Sequence, residues 1–373
     1  MGIHCGKPTT ERGIRRLGAT RTQTFRQIWH LLAQRGYAWG VWGAMNAPLG
    51  NPLGCKFFMP DPWSFDEAAF PHRLDDLLAL PRYVATNYLE IDRKKVIAKG
   101  LRLLRFFAPP SHWPLVADFA AEMVRALAST GPSVHAFSTL LDYLSVLYFL
   151  RLRRKACPDF SLIFLNHIAH LQHQFWIDGD EQHPEMALGL RLNDAMLGLL
   201  LAARSAGEAL VVMNGLKQEN VAKRGSQVYR QIDPRATLKA IGIEHGRVEQ
   251  CMTNDAHILF QDMRDADNAQ TRLERCRLSD GHRAFFVERE SPVEVFYQLA
   301  FEHEVAGSTR LLCGDRALRF YDVFQLICER TGAHVPEGDV FYDGLAIPQK
   351  LANHQVFDYI LAHFAAASRA EAA

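Results

Sequence analysis

The sequence of 373 residues has almost no charge imbalance and no long apolar run. Lys and Arg total 42 against 41 for Asp and Glu, which gives a formal net charge of +1. A chain so balanced lacks the bulk attraction that strongly basic proteins have for nucleic acid or anionic membranes. Its longest apolar runs, such as 195–203, fall well short of the ~20 residues that a membrane-spanning helix needs. We therefore expect neither bulk nucleic-acid binding nor a membrane span.

Paired cysteine motifs and targeting signals are also absent. Although the chain has seven cysteines, none of them forms a Cys-x-x-Cys pair. This spacing excludes a standard zinc knuckle, and the odd count disfavours the disulfide framework of a small secreted domain. The opening segment MGIHCGKPTTERGIRR lacks the apolar stretch of a signal peptide. These features predict reduced cysteines in a cytoplasmic protein.

Several catalytic and nucleotide-binding motifs are missing as well. The sequence has no G-x-G-x-x-G and no G-x-x-x-x-G-K-[ST], so a Rossmann cofactor site and a P-loop have no support. Without G-x-S-x-G or H-E-x-x-H, it also lacks the nucleophile elbow of α/β-hydrolases and the zinc motif of many metalloproteases.

Three short apolar runs and a segment with helical periodicity lie within the first 213 residues. Residues 37–45, 160–165 and 209–213 are typical of buried strands, and 185–204 has helical periodicity. Strand, helix and strand in this order favour a right-handed parallel crossover. We predict an α/β fold with a mostly parallel central sheet and helices on both faces. A helical excursion over about 64–156 interrupts it.

The composition of the sequence changes between about 220 and 310, where charged residues become more frequent and short stretches alternate between apolar and polar residues. This predicts an inserted α+β cap over 221–319, with residues 1–220 and 320–373 forming the α/β core. Residues 317–330 (ALRFYDVFQLICER) have the pattern of a helix.

Histidines and an asparagine follow the predicted strands. His167, His170 and His173 come directly after the strand at 160–165, Asn214 follows 209–213, and His334 lies in a Gly-rich turn. On a helix the three clustered histidines spread over about a third of the circumference, so a pair, but not all three, can bind one ion. Ordinary surface or core histidines are the other interpretation. Ligands of open α/β sheets bind at the carboxyl ends of the strands, which favours a site there.

Five segments together resemble the alkaline phosphatase superfamily, in its branch of type I phosphodiesterases and nucleotide pyrophosphatases. The order of these segments and their secondary-structure context carry the resemblance, which covers roughly 1–60, 160–220 and 325–370. The segments are residues 1–15, 36–48 (GYAWGVWGAMNAP), 169–176 (AHLQHQFW), 190–216 (LRLNDAMLGLLLAARSAGEALVVMNGL) and 332–344 (GAHVPEGDVFYDG).

The resemblance implies a centre of two zinc ions, or another divalent metal, that hydrolyses phosphate or sulfate esters. His173 and His334 match two histidine ligands of one metal. The aspartate partner of His173 falls on Ala169, and an Asp-His pair falls on Asn214 and Gly215. Asn214 can offer a carbonyl oxygen, whereas alanine and glycine offer no ligand. We therefore expect zinc to be weakly bound or absent.

The resemblance also bears on the catalytic and substrate-binding groups. The family's nucleophile lies before the segment that matches residues 1–15, so this chain either begins late or has lost that segment. Lys217 and His282 are the candidates for substrate binding. Thr9 and Thr10 are predicted to be ordinary loop residues rather than nucleophiles.

Two functions follow as expectations. The first is an impaired metal-dependent hydrolase of small-molecule or glycan phosphate or sulfate esters. The alternative is a pseudoenzyme, or binding module, that keeps the cleft without the chemistry. Asp178, Asp180 and Glu181 could supply replacement carboxylates, although a solvated acidic loop is the simpler interpretation.

Overall fold

The chain divides into two compact units, which are described separately. Unit 1 comprises Met1–Leu171, Gln182–Gln218 and His334–Ala373, and unit 2 comprises Gln172–Glu181 and Glu219–Ala333. The computed structural model describes residues 2–8, 11, 20, 25–87, 91–107, 109–177, 183–215, 217–244, 246–250 and 254–371. Within these ranges no helix is both long enough and apolar enough to cross a bilayer.

Helices and strands occur in both units. The helices are α1 (Gly2–Cys5), α2 (Ile28–Gln34), α3 (Asp75–Asn87), α4 (Arg93–Phe107), α5 (Trp113–Thr130), α6 (Val134–Ala156), α7 (His167–Phe175), α8 (Pro184–Ala202), α9 (Pro234–Ala240), α10 (Met263–Arg275), α11 (Phe320–Val323) and α12 (Val356–Glu371). The strands are β1 (Trp39–Trp42), β2 (Cys55–Met59), β3 (Phe160–Ile163), β4 (Leu210–Met213), β5 (Lys217–Asn220), β6 (Gln227–Gln231), β7 (Arg247–Gln250), β8 (Asp255–Leu259), β9 (Arg277–Leu278), β10 (Phe285–Ser291), β11 (Glu294–Leu299), β12 (Arg310–Cys313), β13 (Arg316–Arg319), β14 (Phe324–Glu329), β15 (Gly332–Val335) and β16 (Val340–Asp343).

A three-stranded parallel sheet lies within unit 1, in the order β2-β1-β3. All four residues of β1 are buried, as expected for a central parallel strand that is covered on both faces. Trp39 pairs with Phe160 of β3 and with Cys55 of β2. The continuous apolar run of β1 therefore matches its position in the middle of the sheet.

Side chains of this sheet pack into two apolar clusters. Trp39 and Phe58 pack in one cluster with Trp29 of α2. Trp42 and Phe57 join the other cluster, which includes residues of α3, α5, α6 and α8. Because successive side chains of a strand point to opposite faces, each face of the sheet is covered by its own helices.

Arg153 of α6 connects β3 to the segment before β4 inside unit 1. Its Nε donates to Ser161 Oγ at 3.2 Å and its Nη1 to the Ala203 carbonyl at 3.0 Å. Its Nη2 also pairs with the Glu208 carboxylate. One guanidinium thus uses its fork of donors to hold three neighbouring groups.

The predicted mixed α/β fold is confirmed, but the described residues form several small sheets, most of them antiparallel, and the parallel ladders found among them join β2, β1 and β3. The apolar segments 37–45, 160–165 and 209–213 contain β1, β3 and β4. β4 pairs antiparallel with β16, with Met213 opposite Val340, and joins no ladder with β3 among the described residues. The ladder hydrogen bonds described for β4 are therefore made with β16 and not with β3.

Unit 2 is built on antiparallel sheets. Its largest sheet has the order β10-β11-β8-β7, and α10 packs against it with Ala266, Ala269 and Leu273 buried. These three residues recur at helical spacing and form one apolar stripe. Val295 and Tyr297 of β11 alternate toward the same core. Smaller sheets β13-β12-β9 and β14-β6 complete the unit.

Two local expectations are wrong. Residues 317–330 form the end of β13, the short α11 and then β14 instead of one helix, because β14 gains an antiparallel ladder with β6 that outweighs the local helical pattern. Reduced cysteines were also expected, but Cys276 and Cys313 form a disulfide. They lie one step beyond the Leu312–Arg277 pair of β12 and β9, so the register places them opposite each other.

Candidate functional site

Loops after β1 and β2 meet at the carboxyl end of the parallel sheet. Asn46, fully buried in the left-handed backbone region at φ 51°, donates its backbone N–H to Asp61 Oδ2 at 2.8 Å. Ser64 Oγ donates to the same oxygen at 2.6 Å, and Trp63 N–H donates to Oδ1 at 2.9 Å. Burial raises the pKa of Asp61, while these donors act in the opposite direction. The Asp61 carboxyl group therefore ties the two loops together.

The loop after β3 is organised by a second aspartate. Asp142 Oδ2 accepts the backbone N–H groups of Asn166 and His167 at 2.8 and 2.9 Å, which satisfies donors at the start of α7. The same oxygen lies 3.0 Å from His167 Nδ1. His170 Nε2 accepts from Asn166 Nδ2 at 2.9 Å. These two histidines are thus positioned by structural contacts within unit 1.

His173 lies in unit 2 and has a different environment. Its Nδ1 donates to the Gly332 carbonyl at 2.8 Å, so its Nε2 carries the lone pair. Burial lowers the pKa of His173, which keeps the ring neutral. A neutral imidazole with its other nitrogen fixed by a carbonyl is the form that binds metals.

Asn214 and Lys217 of unit 1 both contact Asp339. The Asp339 N–H donates to Asn214 Oδ1 at 2.5 Å, and Asn214 N–H donates to the Asp339 carbonyl at 3.2 Å. Lys217 Nζ lies 3.2 Å from the Asp339 carboxylate. The side-chain oxygen of Asn214 is therefore already engaged, and an acidic neighbour offsets the charge of Lys217.

The remaining positions named by the resemblance contribute in other ways. His334 is an exposed residue of β15. Gly215 accepts a hydrogen bond from Asn353 Nδ2 through its carbonyl at 2.6 Å, and the Ala169 carbonyl accepts from Gln218 Nε2 at 3.0 Å. Gly215 and Ala169 thus serve as backbone acceptors.

These residues do not fit a centre of two zinc ions. The part of unit 1 that the structure describes contains no group of three closely spaced His, Cys, Asp or Glu donors. Unit 2 has two such groups within its described residues, and His173 belongs to neither. Since Asn214 Oδ1 accepts a backbone amide, these residues do not provide the several fixed ligands that such a centre needs. Thr9, Thr10, Asp178, Asp180 and Glu181 lie outside the described residues.

His282 was expected to bind substrate, but its described contacts are with Asp280 and His303. The first of the two donor groups in unit 2 consists of Asp280, His282 and His303. The second consists of His257, Glu290 and Glu294. His257 is fully buried, and its Nδ1 lies 3.2 and 3.0 Å from the two glutamates. Sequence reasoning missed both groups because their members come from separate strands or turns. A local motif exists only for Asp280 and His282.

No protein-family model matches this chain, and no curated protein sequence matches it. The superfamily assignment therefore remains a proposal that rests on the resembling segments.

Proposed function

We propose that this protein binds phosphate or sulfate esters on an α/β core similar to that of the alkaline phosphatase superfamily, and that metal-dependent hydrolysis is lost or much reduced. The parallel sheet β2-β1-β3 is, in this proposal, part of the family's mostly parallel central sheet. The order of elements is consistent with this proposal, since the resembling segments overlap β1, α7, α8 with β4, and β15 with β16.

The observation that carries the proposal is the concentration of polar loops at the carboxyl end of the parallel strands in unit 1. Asn46 and Asp61 follow β1 and β2, and the Asn166–His170 turn follows β3. Ligands of open α/β sheets bind at this end. The resemblance implies that the ligand at this end of the sheet is a phosphate or sulfate ester of a small molecule or a glycan.

Binding without hydrolysis is favoured by the residues at the positions that match the family's metal ligands. Asn214 Oδ1 accepts a backbone amide, and Gly215 and Ala169 have no donor side chain. A metal-activated nucleophile needs several fixed ligands around the ion. These three positions thus offer a metal ion few ligand atoms.

Hydrolysis with a weakly bound zinc ion is the second candidate. His173 supports it, because burial lowers its pKa and its Nδ1 donates to the Gly332 carbonyl, and a neutral imidazole fixed in this way is the form that binds metals. Zinc would supply Lewis-acid stabilisation of the transferred group when bound.

An anion titration of the full chain tests the binding proposal. We expect inorganic phosphate and sulfate to raise the melting temperature of the wild type, as ligands of the native state do. Lys217→Ala should reduce this shift, whereas Asp339→Asn should increase it because the variant removes the carboxylate beside Lys217. Arg224→Ala, which removes another exposed cation from an ion pair with Glu219, is the matched control. Identical shifts in all four proteins would contradict the proposal.

Zinc analysis and an ester screen separate the two candidates. Binding alone predicts no zinc-dependent turnover of phosphodiesters, phosphomonoesters or sulfate esters. Zinc-dependent turnover that disappears in His173→Ala would favour the hydrolase instead.

A further inference from the structure

The turn after β9 and the segment after β11 bring two histidines to one aspartate in unit 2. His282 Nδ1 lies 3.1 Å from Asp280 Oδ1, and His303 Nε2 lies 3.4 Å from Asp280 Oδ2. The ring centroids of the two histidines are 4.2 Å apart. One donor atom from each residue thus lies within 4.8 Å of the other two.

The turn that carries Asp280 and His282 is fixed by its own backbone. Leu278 N–H donates to the His282 carbonyl at 2.8 Å, and Gly281 N–H donates to the Leu278 carbonyl at 2.9 Å. Gly281 has φ 94°, a conformation that glycine adopts without the steric cost of a side chain. The His282 N–H also donates to Asp280 Oδ1 at 3.0 Å. The carboxylate is therefore oriented before any ligand arrives.

Covalent and apolar contacts hold the supporting chain on both sides. The disulfide Cys276–Cys313 joins the residue before β9 to the end of β12. His303 follows Phe301, a buried residue that packs in the core of unit 2. Rigid support of this kind keeps donor atoms close to a productive geometry.

We propose that Asp280, His282 and His303 form a binding site for a divalent transition-metal ion, with zinc as the reference ion. Zinc binds imidazole nitrogen and carboxylate oxygen at about 2.0–2.2 Å, so adjacent ligand atoms of a tetrahedral site lie roughly 3.3–3.5 Å apart. Each imidazole nitrogen lies at close to that spacing from one carboxylate oxygen of Asp280, 3.1 Å from Oδ1 for His282 and 3.4 Å from Oδ2 for His303. Two imidazoles with one carboxylate favour zinc and its neighbours over magnesium or calcium.

The site has room for further ligands. The side chains of Asp280, His282 and His303 are 37%, 60% and 36% exposed. Three protein ligands with an open position are characteristic of zinc sites that bind water or a small ligand. An ion here would thus exchange with solution and keep a coordination position for solvent.

The other donor group of unit 2 is a weaker candidate. His257, Glu290 and Glu294 provide one nitrogen and two carboxylates, and His257 is fully buried. Its Nδ1 lies within hydrogen-bond range of both carboxylates, and only one of its three ligand atoms is a nitrogen. The exposed group offers two nitrogen ligands and access from solvent.

The test uses the full chain without a histidine tag, after removal of metal by a chelator. Zn²⁺ and Co²⁺ are titrated by calorimetry, and bound metal is measured after dialysis. We expect His282→Ala and His303→Ala each to lose about one equivalent relative to the wild type, because a site with two protein ligands holds zinc poorly. Asp280→Asn should weaken binding through the loss of the charged oxygen.

His72→Ala is the matched control, since His72 forms an exposed pair with a single carboxylate, that of Asp75. It should bind as much metal as the wild type. Circular dichroism and melting temperatures of the metal-free proteins check folding, and two independent histidine variants keep the test decisive if one of them fails to fold.

Three outcomes would overturn the proposal. The wild type could bind no stoichiometric ion, the variants at His282 and His303 could retain the full amount, or the loss could occur only in Glu290→Gln/Glu294→Gln. The inference is independent of ester binding, so the protein can bind the metal ion at this site even if it does not bind phosphate or sulfate.

Discussion

Gly40 in the middle of β1 provides a sharp test of the packing in unit 1. A Cβ atom at this position would lie 2.3 Å from Phe57 Cζ and 2.4 Å from Phe57 Cε1, whereas carbon atoms in contact prefer about 3.5–4.0 Å. Strand β1 pairs on both sides, so its backbone has little freedom to move away. Phe57 is fully buried and packs edge-on against Phe149 at 5.7 Å.

We expect Gly40→Ala to lower the free energy of unfolding of unit 1 by about 1–2 kcal/mol. Overpacking a core typically costs about 1–3 kcal/mol, and the relief of glycine's backbone entropy returns roughly 0.5–1 kcal/mol. The assay is urea denaturation followed by tryptophan fluorescence. Five of the six tryptophans belong to unit 1, and only Trp176 belongs to unit 2.

A double-mutant cycle identifies the cause of the loss. Phe57→Leu removes the ring that meets the new methyl group, so Gly40→Ala/Phe57→Leu should be less destabilised than the sum of the single variants. Gly198→Ala, on α8, is the matched control, because its Cβ would meet nothing within 4 Å. It should stabilise the helix by about 0.5–1 kcal/mol. Additive effects in the cycle, or an unchanged midpoint for Gly40→Ala, would refute the packing argument.

Two further predictions concern pH and the disulfide. His30 Nε2 donates to the Leu49 carbonyl, and its Nδ1 accepts from Gln27 N–H. Burial lowers the pKa of His30 below 6.5, so the unfolded chain binds a proton more readily than the folded chain does. The free energy of unfolding should therefore fall as the pH drops below about 6.5. His30→Gln should flatten this dependence in urea titrations at pH 7 and pH 5, and an equally steep decline would contradict the role of His30. Cys276→Ser/Cys313→Ser opens a loop with a sequence separation of 37 residues, so unit 2 should lose up to about 4 kcal/mol by the chain-entropy relation. Limited proteolysis would reveal this as faster cleavage within unit 2, and an unchanged cleavage rate would argue against a stabilising role for the disulfide.

Local pattern determined several elements in advance. The apolar run around Trp39–Trp42 is a buried strand, and the periodic segment 185–204 contains α8. Both signals are short-range, because a continuous apolar run and a helical spacing of apolar residues depend only on residues that are close in sequence.

Long-range pairing decided what pattern could not. Residues 317–330 have helical spacing, yet most of them lie in strands because β14 finds a partner in β6. The strand at 209–213 was recognised, but its antiparallel partner β16 comes from far along the chain. The choice of neighbour depends on the ladders available in the folded chain, which no local window contains.

The candidate sites divide in the same way. The sequence by itself placed His173 after a strand and Asn214 after another, and it suggested a ligand site at strand ends. Only the tertiary structure joined Asn214 to Asp339 and assembled Asp280, His282 and His303. The physical reason is that a binding group needs donor atoms a few ångströms apart, and residues from separate strands and turns reach that distance only through the packing and register of the fold.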